Sequence, residues 1–304
     1  MKYDVAIVGG GPAGVSAALY ARARGAKIVV LDKNGIGGLI SRVSLVSHFL
    51  GVSEGLSGPQ FAKLMAGQLE RAGVEAAVDE VLRLEVQNGQ IHLSGRKGQW
   101  EASAAVLATG TKPRRLGLSG EDELGVCGLG LDRLDDLSAK EIVVVGGSDG
   151  AAKEAIHLAG RTKEVHLVFI ERELAAVSEF RRAIEKLPNV RTYPASRVTS
   201  ISGGEKVQRV VIASDDGAQT VLRCDDEIPL FVCAGRLPQA NLAPEKTSEG
   251  WAKCAPDMAT SLPGVFVAGD MRDGALRQVA GAVRDGAVAG IAAAGWARAH
   301  GGLK

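Results

Sequence analysis

The sequence has no Cys-x-x-Cys pair. Its four cysteines, Cys127, Cys224, Cys233 and Cys254, are widely spaced, so the pattern predicts neither a disulfide framework nor a zinc site, and we predict no metal. Aromatic residues make up only 4% of the chain, and the formal net charge is +1. Because acids and bases are interspersed and no basic patch stands out, we expect no nucleic-acid partner.

The chain also lacks a long hydrophobic run. Its most apolar C-terminal stretch, residues 286–297, is shorter than the roughly 20 residues that a membrane helix needs. The N-terminus shows no signal-peptide pattern. We therefore expect a soluble, cytoplasmic protein with no membrane partner.

Glycine, in contrast, is abundant, and its first cluster has a recognisable setting. An apolar run at 5–8 ends in Gly-Gly-Gly-Pro-Ala-Gly at 9–14, and a helical pattern follows over 15–24. A second apolar run at 28–31 ends at Asp32. This order is typical of a Rossmann unit, in which the glycine turn brings backbone amides close to a pyrophosphate and the acid binds a ribose.

The same order of elements occurs twice. The first copy continues with a predicted hairpin around Asn88-Gly89 and closes at 106–110. The second copy starts with an apolar run at 142–145, reaches Gly146-Gly147, and closes at 231–235. The sequence thus predicts an α/β fold.

We expect two Rossmann-like, three-layer ββα dinucleotide-binding domains, the second inserted in the first. The first domain is predicted to comprise residues 1–115 and 241–304, and the second residues 116–240. The predicted hinges at 112–120 and 235–242 both contain proline or glycine, as interdomain linkers often do.

Several ordered motifs carry a specific resemblance. Besides the turn at 9–14, they are Gly37-Gly38, Leu56-Ser-Gly-Pro59, Ala108-Thr-Gly110, the run at 264–270 and Arg277-Gln-Val279. With these motifs the chain resembles the low-molecular-weight thioredoxin reductase family over essentially its whole length. The resemblance implies FAD in the first domain, NAD(P) in the second and a homodimer formed mainly through the FAD domains.

The FAD ligands follow from the glycine turn and from this resemblance. They are Gly9, Gly11, Pro12, Ala13, Gly14, Asp32, Lys33, Gly37, Gly38, Leu39, His48, Val81, Ala108, Thr109, Gly110, Gly269, Asp270, Arg277, Gln278 and Val279. Asp270 and the segment 277–279 are expected near the ribityl chain and the flavin ring, with Arg277 and Gln278 opening the last helix.

The sequence departs from the family where the redox cysteines belong. An ungapped count places the two family cysteines at Leu129 and Asp132, and nearby Cys127 has no partner within three residues. His48 replaces an asparagine that the family places near FAD. Cys127 and His48 are therefore the candidate catalytic residues, with a structural role as the alternative for each.

The second nucleotide motif is altered as well. Ser148 replaces the middle glycine of the family's Gly-x-Gly-x-x-Ala, and Asp149 adds a negative charge. Where the family has a basic cluster for the 2′-phosphate of NADPH, this chain has Phe169-Ile-Glu171. The change disfavours NADPH and leaves NADH open as a cofactor, with Glu171 as a candidate ribose ligand. The alternative for Glu171 is an exposed pair with the neighbouring Arg172.

Three functions are compatible with these features. The first is an FAD-dependent oxidoreductase that transfers electrons from NAD(P)H to an acceptor other than a dithiol, either a redox protein or a small molecule. The second is a nicotinamide-independent flavoenzyme, reduced by ferredoxin, by a flavodoxin or by its substrate. The third is a non-catalytic flavin-binding sensor.

Overall fold

The computed structural model describes residues 2–52, 55–126, 128 and 137–300. The chain forms two compact units: residues 1–41, 46–112 and 237–304 make unit 1, and residues 42–45 and 113–236 make unit 2. The boundaries predicted from the sequence lie a few residues further along the chain. No sequence pattern indicated that residues 42–45 would group with unit 2.

Unit 1 is built around a mainly parallel sheet with strand order β3-β2-β1-β6-β5-β4, in which β16 also pairs with β6. Its strands are β1 (Lys2–Val8), β2 (Ile28–Asp32), β3 (Glu75–Val78), β4 (Val81–Gln87), β5 (Gln90–Gly95), β6 (Gln99–Leu107) and β16 (Val265–Val267). Strand β6 is long enough for two roles. Its first half pairs antiparallel with β5, and its second half pairs parallel with β16.

Unit 1 has three helices, α1 (Pro12–Arg22), α2 (Gly58–Arg71) and α5 (Val279–Ala299). Helices α1 and α5 pack against the sheet, and α2 packs against α1. Helices α1 and α5 approach closely because small residues line their contact. A Cβ added at Gly286 would overlap the carbonyl oxygen of Ala13, and one at Gly290 would overlap that of Ala17. This packing fixes the first turn of α1, which belongs to the glycine motif, against the last helix.

Unit 2 repeats the plan of unit 1. Its parallel sheet has the order β10-β9-β8-β14, and a separate antiparallel sheet has the order β11-β12-β13. The elements are β8 (Glu141–Val145), α3 (Asp149–Ala159), β9 (Glu164–Val168), α4 (Ser178–Glu185), β10 (Val190–Tyr193), β11 (Ser196–Ser202), β12 (Arg209–Ser214), β13 (Gln219–Arg223) and β14 (Leu230–Val232). The two sheets enclose a core that includes Val143, Val168 and Ile212.

Two short strands, β7 (Thr111–Pro113) and β15 (Arg236–Pro238), pair with each other. Each contains one of the points at which the chain passes between units. Strand β15 lies within the expected hinge segment 235–242, and β7 overlaps the start of the expected segment 112–120.

Two helix starts differ from the sequence expectation. Helix α1 begins at Pro12 rather than near residue 15, because proline is well suited to the first helical position. Helix α5 begins at Val279, with Gln278 as its N-cap, so Arg277 and Gln278 precede the last helix instead of opening it. No helix in the described ranges is long and apolar enough to cross a membrane.

Candidate functional site

The glycine motif of unit 1 lies where several parallel strands end together. The amide of Ala108 donates to the carbonyl of Val8 at 2.7 Å, and the amide of Ala268 donates to that of Leu107 at 2.9 Å. These bonds align the carboxyl ends of β1, β6 and β16. Ligands of open α/β sheets bind at this edge.

The three motif glycines serve two different purposes. Gly9 has φ +115°, and a Cβ there would overlap the carbonyl oxygen of Ala108. A Cβ at Gly14 would overlap the carbonyl oxygen of Gly9. A Cβ at Gly11, in contrast, would meet only the Cα of Gly38, at 3.9 Å. Gly9 and Gly14 are therefore required for packing, whereas Gly11 keeps space clear in front of the turn.

The first turn of α1 is suited to an anion. Its N-cap, Gly11, offers no side-chain hydrogen bond, and the turn carries no acidic residue. The backbone amides at a helix N-terminus have no partner within the helix and carry a partial positive charge. The clear space at Gly11 and this uncapped turn fit the pyrophosphate of FAD.

Asp32 stabilises the turn as well as ending β2. One carboxylate oxygen accepts from the amide of Gly10 at 2.7 Å, and the other accepts from that of Asn34 at 2.8 Å. The amide of Gly37 donates to the carbonyl of Gly10 at 2.8 Å. The segment that holds the predicted ligands Lys33, Gly37, Gly38 and Leu39 is thereby fixed beside the glycine turn.

The predicted ribityl segment packs against the start of α1. Gly269 has φ +76°, and a Cβ there would lie 2.7 Å from the Cβ of Ala13. The short 3-10 turn that contains Asp270 therefore packs against the first turn of α1. The half-buried carboxylate of Asp270 can accept from ribityl hydroxyls at this place.

Arg277 and Gln278, the predicted ligands of the flavin ring, are both exposed. The guanidinium of Arg277 lies 3.8 Å from the ring centroid of Trp251, within the range of a cation–π contact. This contact orients Arg277. Sequence reasoning missed Trp251, since it lies far from every motif.

Thr109 turns out to be anchored by a residue that no motif marks. Its hydroxyl donates to the carbonyl of Gln239 and lies 3.1 Å from the sulfur of Met271. The side-chain amide of Gln239 donates back to the carbonyl of Thr109 at 3.0 Å. Gln239 thus fixes the loop at 108–110 that follows β6.

Asp79, next to the predicted ligand Val81, is a second residue that the sequence did not reveal. It is 2% exposed, and it accepts from the indole N–H of Trp100 at 3.0 Å and from the amide of Lys97 at 2.9 Å. Burial by itself raises the pKa of Asp79, but these hydrogen bonds lower it below its ordinary value. Asp79 is therefore a charged anchor for the start of β4.

The two catalytic candidates have different outcomes. His48 is exposed and has a left-handed backbone, with φ +58°, so a loop presents it rather than a helix or strand. Cys127 lies outside the described residues, as do Leu129 and Asp132. Gly128, which follows Cys127 in the sequence and is described, has a carbonyl that accepts a weak hydrogen bond from the thiol of Cys233 at 3.8 Å.

The glycine turn of unit 2 has the same backbone bonds as that of unit 1. The amide of Gly146 donates to the carbonyl of Val168 at 2.8 Å, just as Gly9 does to Leu31. The acid that follows β9 also occupies an equivalent place. A Cβ added at Gly147 would overlap the carboxylate of Glu171, so this carboxylate lies directly over the turn.

Asp149, whose negative charge would disfavour a bound pyrophosphate, makes a hydrogen bond within unit 2. Its carboxylate accepts from the amide of Val177, the N-cap of α4, at 2.8 Å. Ser148, the N-cap of α3, makes no side-chain capping bond. The amides of the first turn of α3 therefore have no side-chain cap from their own N-cap residue.

Comparison with known proteins agrees with this geometry. The family model for pyridine nucleotide-disulphide oxidoreductases matches residues 3–286. The chain is 31% identical to the thioredoxin reductase of Peptoclostridium acidaminophilum over 287 residues, which cover 91% of each protein. The crystal structure of Lactococcus lactis thioredoxin reductase matches with a TM-score of 0.92 and 28% identity, over 98% of this chain and 99% of that one.

This chain belongs to the pyridine nucleotide-disulphide oxidoreductase family. Within that family it is thioredoxin reductase-like, and it is an FAD-dependent oxidoreductase. The resemblance and the fold expected from the sequence are both confirmed. The bacillithiol disulfide reductase of Bacillus cereus, at 18% identity and a TM-score of 0.79, shares the fold. The individual FAD contacts remain a prediction.

Proposed function

We propose that this chain transfers electrons from NADH through FAD to an acceptor other than a protein dithiol. Bound FAD supplies a two-electron carrier that can be reduced by one partner and oxidised by another. The chain itself contributes the pyrophosphate cradle at Gly11, the ribityl acceptor Asp270, and Arg277 held by Trp251 at the polar edge of the flavin.

The cysteine distribution supports an acceptor without a dithiol step. The sequence has no Cys-x-x-Cys pair, and the two cysteines nearest in sequence, Cys224 and Cys233, have eight residues between them. Cys224 is exposed in unit 2, and Cys254 is half-buried in unit 1. Burial raises the pKa of the Cys254 thiol, which makes it a poor nucleophile at neutral pH.

The position of Glu171 carries the proposal for NADH. Its carboxylate lies over the glycine turn of unit 2, where the corresponding Asp32 lies in unit 1. A carboxylate at this place can accept from the two hydroxyls of an NADH ribose, whereas it repels the 2′-phosphate of NADPH. The carboxylate of Asp149 accepts a hydrogen bond from the backbone amide of Val177, so it is not directed toward the pyrophosphate.

The test is anaerobic mixing of the FAD-loaded protein with NADH and, separately, with NADPH, followed by stopped-flow absorbance of the flavin. Fast bleaching by NADH and at least tenfold slower bleaching by NADPH is the expected result. Glu171→Arg should reverse this preference. Glu173→Gln serves as the matched control, because Glu173 is an exposed acid in the same loop.

The alternatives give other results in the same assay. Failure of both nucleotides, when dithionite still bleaches the flavin, would contradict a nicotinamide donor and favour a protein or substrate donor. If no physiological donor reduces the flavin, the chain is a flavin-binding sensor. Equal rates with NADH and NADPH would refute the role of Glu171 alone.

One observation favours a second candidate, a disulfide reductase with an unusual pair of thiols. The thiol of Cys233 lies 3.8 Å from the carbonyl oxygen of Gly128, and Gly128 follows Cys127 in the sequence. Counting thiols in the NADH-reduced and oxidised protein distinguishes the two. Two additional thiols on reduction, lost in Cys233→Ser, would support a Cys127–Cys233 couple and contradict the dithiol-free mechanism.

We also expect the homodimer that the resemblance implies. Light scattering of the FAD-loaded protein tests this directly. A mass of one chain, 31.5 kDa, would contradict it.

A further inference from the structure

Unit 2 contains a group of ionisable side chains at the amino ends of β8 and β9. Glu141 and Glu164 are the first residues of these parallel strands and are register partners. Because side chains alternate along a strand, Glu164 and His166 point to the same face of the sheet. The register therefore brings Glu141, Glu164 and His166 together, far from the glycine turn at the opposite edge of the sheet.

His166 is unusual within this group. It occupies the middle of a strand whose other central residues are apolar, and it is 2% exposed. Its Nε2 has no hydrogen-bond partner among the described residues. This atom lies 3.6 Å from Oε2 of Glu141 and 4.0 Å from Oε2 of Glu164, beyond the range of an N–H···O hydrogen bond. A buried polar atom without a hydrogen-bond partner is destabilising.

The surrounding contacts orient the three ligand atoms toward one another. The other ring nitrogen, Nδ1, lies 3.0 Å from the hydroxyl oxygen of Tyr193. When Nδ1–H donates to Tyr193, Nε2 presents a lone pair to the two carboxylates. A lone pair facing two anionic oxygens is unfavourable by itself and becomes favourable when a cation lies between them.

The remaining carboxylate oxygens are held on the solvent side. Oε1 of Glu141 accepts from Lys163 at 2.7 Å, and Oε1 of Glu164 is paired with Arg191. The side chains of Lys163 and Arg191 are 63% and 68% exposed, so water and salt screen their charges. They fix the orientation of the carboxylates and leave Oε2 of each turned toward His166.

We propose that Glu141, Glu164 and His166 form a binding site for a divalent transition metal ion such as Zn²⁺. One imidazole and two carboxylates are ligands that Zn²⁺ accepts, at about 2.0–2.2 Å, and three protein ligands leave a fourth position for water. The three ligand atoms lie within 4.8 Å of one another. Small movements of the partly exposed glutamate side chains bring the three ligand atoms to the separation of about 3.4 Å that a tetrahedral zinc site with such bond lengths requires.

Tyr193 acts on the metal through His166 and is a positioning residue. Partners of this kind fix the tautomer and orientation of a metal-binding histidine, and their loss typically weakens binding about 10- to 100-fold. Tyr193→Phe should therefore reduce the affinity within that range without removing the site.

The experiment is isothermal titration of Zn²⁺ into the FAD-loaded protein after treatment with a chelator. We expect one ion per chain. Glu141→Gln, Glu164→Gln and His166→Gln should each weaken binding at least tenfold. The changes at the two partly exposed glutamates keep the test valid if His166→Gln does not fold. His157→Gln, which alters a histidine of α3 in the same unit, should bind as the unaltered protein does.

Either of two results would overturn the proposal. One is no uptake of Zn²⁺ by the FAD-loaded protein. The other is uptake with the same affinity in Glu164→Gln and His166→Gln as in His157→Gln, which would place the ion elsewhere, for example on cysteine thiols. Because the readout is binding, neither result depends on the donor or acceptor of the flavin.

Discussion

The ion pair between Arg272 and Asp285 connects the predicted flavin segment to the last helix. Asp285, on α5, is 1% exposed. It accepts from Nε of Arg272 at 2.6 Å and from Nη2 at 3.1 Å. Arg272 also donates to the carbonyl of Asp273 at 2.8 Å, so this pair holds the chain between Asp270 and Arg277. We predict that Asp285→Asn destabilises unit 1 strongly.

The size of the effect follows from burial. The side chain of Arg272 is only 17% exposed, so removing the charge of Asp285 leaves a largely buried guanidinium without its counter-ion. Breaking a buried pair in this way costs about 3–5 kcal/mol. Because asparagine keeps one acceptor oxygen, we expect about 3 kcal/mol. The second contact to Asp285, from Arg284 at 3.0 Å, adds little to this loss, since the side chain of Arg284 is 59% exposed.

Urea unfolding at a fixed FAD concentration, followed by flavin release and circular dichroism, measures this loss. Glu101→Gln is the matched control, because it removes an exposed pair in which Lys2 and Glu101 lie 3.7 Å apart; it should cost less than about 1 kcal/mol. The double change Arg272→Met with Asp285→Leu should cost less than the sum of its parts. A loss below about 1 kcal/mol for Asp285→Asn would refute the reasoning.

Three further predictions concern flavin binding and pH. Gly11→Ala should fold yet bind FAD at least tenfold more weakly, whereas Gly14→Ala, which overlaps a backbone oxygen, should lower the unfolding temperature; fluorescence titration and thermal melts separate the two, and equal FAD affinity for Gly11→Ala would contradict the cradle. Trp251→Leu removes the contact with Arg277, worth about 0.5–1 kcal/mol for an exposed cation, and should weaken FAD binding up to about fivefold in the same titration; an unchanged affinity would show that Trp251 does not orient a flavin ligand. Burial raises the pKa of Tyr3 from 10.0 to about 12, so its contribution to stability is complete below pH 10 and is lost as the pH rises toward 12; urea unfolding across this range should show the loss, and Tyr3→Phe should remove it.

The sequence was informative where a local pattern has one structural solution. Apolar runs followed by glycine turns fixed the order of β1, α1 and β2 and of β8, α3 and β9, because only a strand that feeds a helix N-terminus through such a turn brings its backbone to a pyrophosphate. The repeat of this order predicted two Rossmann-like units. The loss of the basic cluster at Phe169-Ile-Glu171 indicated the cofactor preference that we propose.

Other residues of the site carry no local signal. Trp251 meets Arg277, Gln239 meets Thr109, and neither belongs to a motif. Their roles arise from loops that meet only when the sheet edge of unit 1 has formed. A sequence window around either residue contains nothing that distinguishes it from an ordinary loop position.

What the sequence alone determined about this protein is its backbone plan and its family, since hydrophobic period and glycine placement act over a few residues. The tertiary structure alone decided which distant side chains meet. His166 in an apolar strand is ambiguous by itself; the pairing of β8 with β9 places it beside Glu141 and Glu164, and Tyr193 of β10 orients its ring. Strand register depends on the packing of a whole unit, so these contacts follow from the fold and not from any segment.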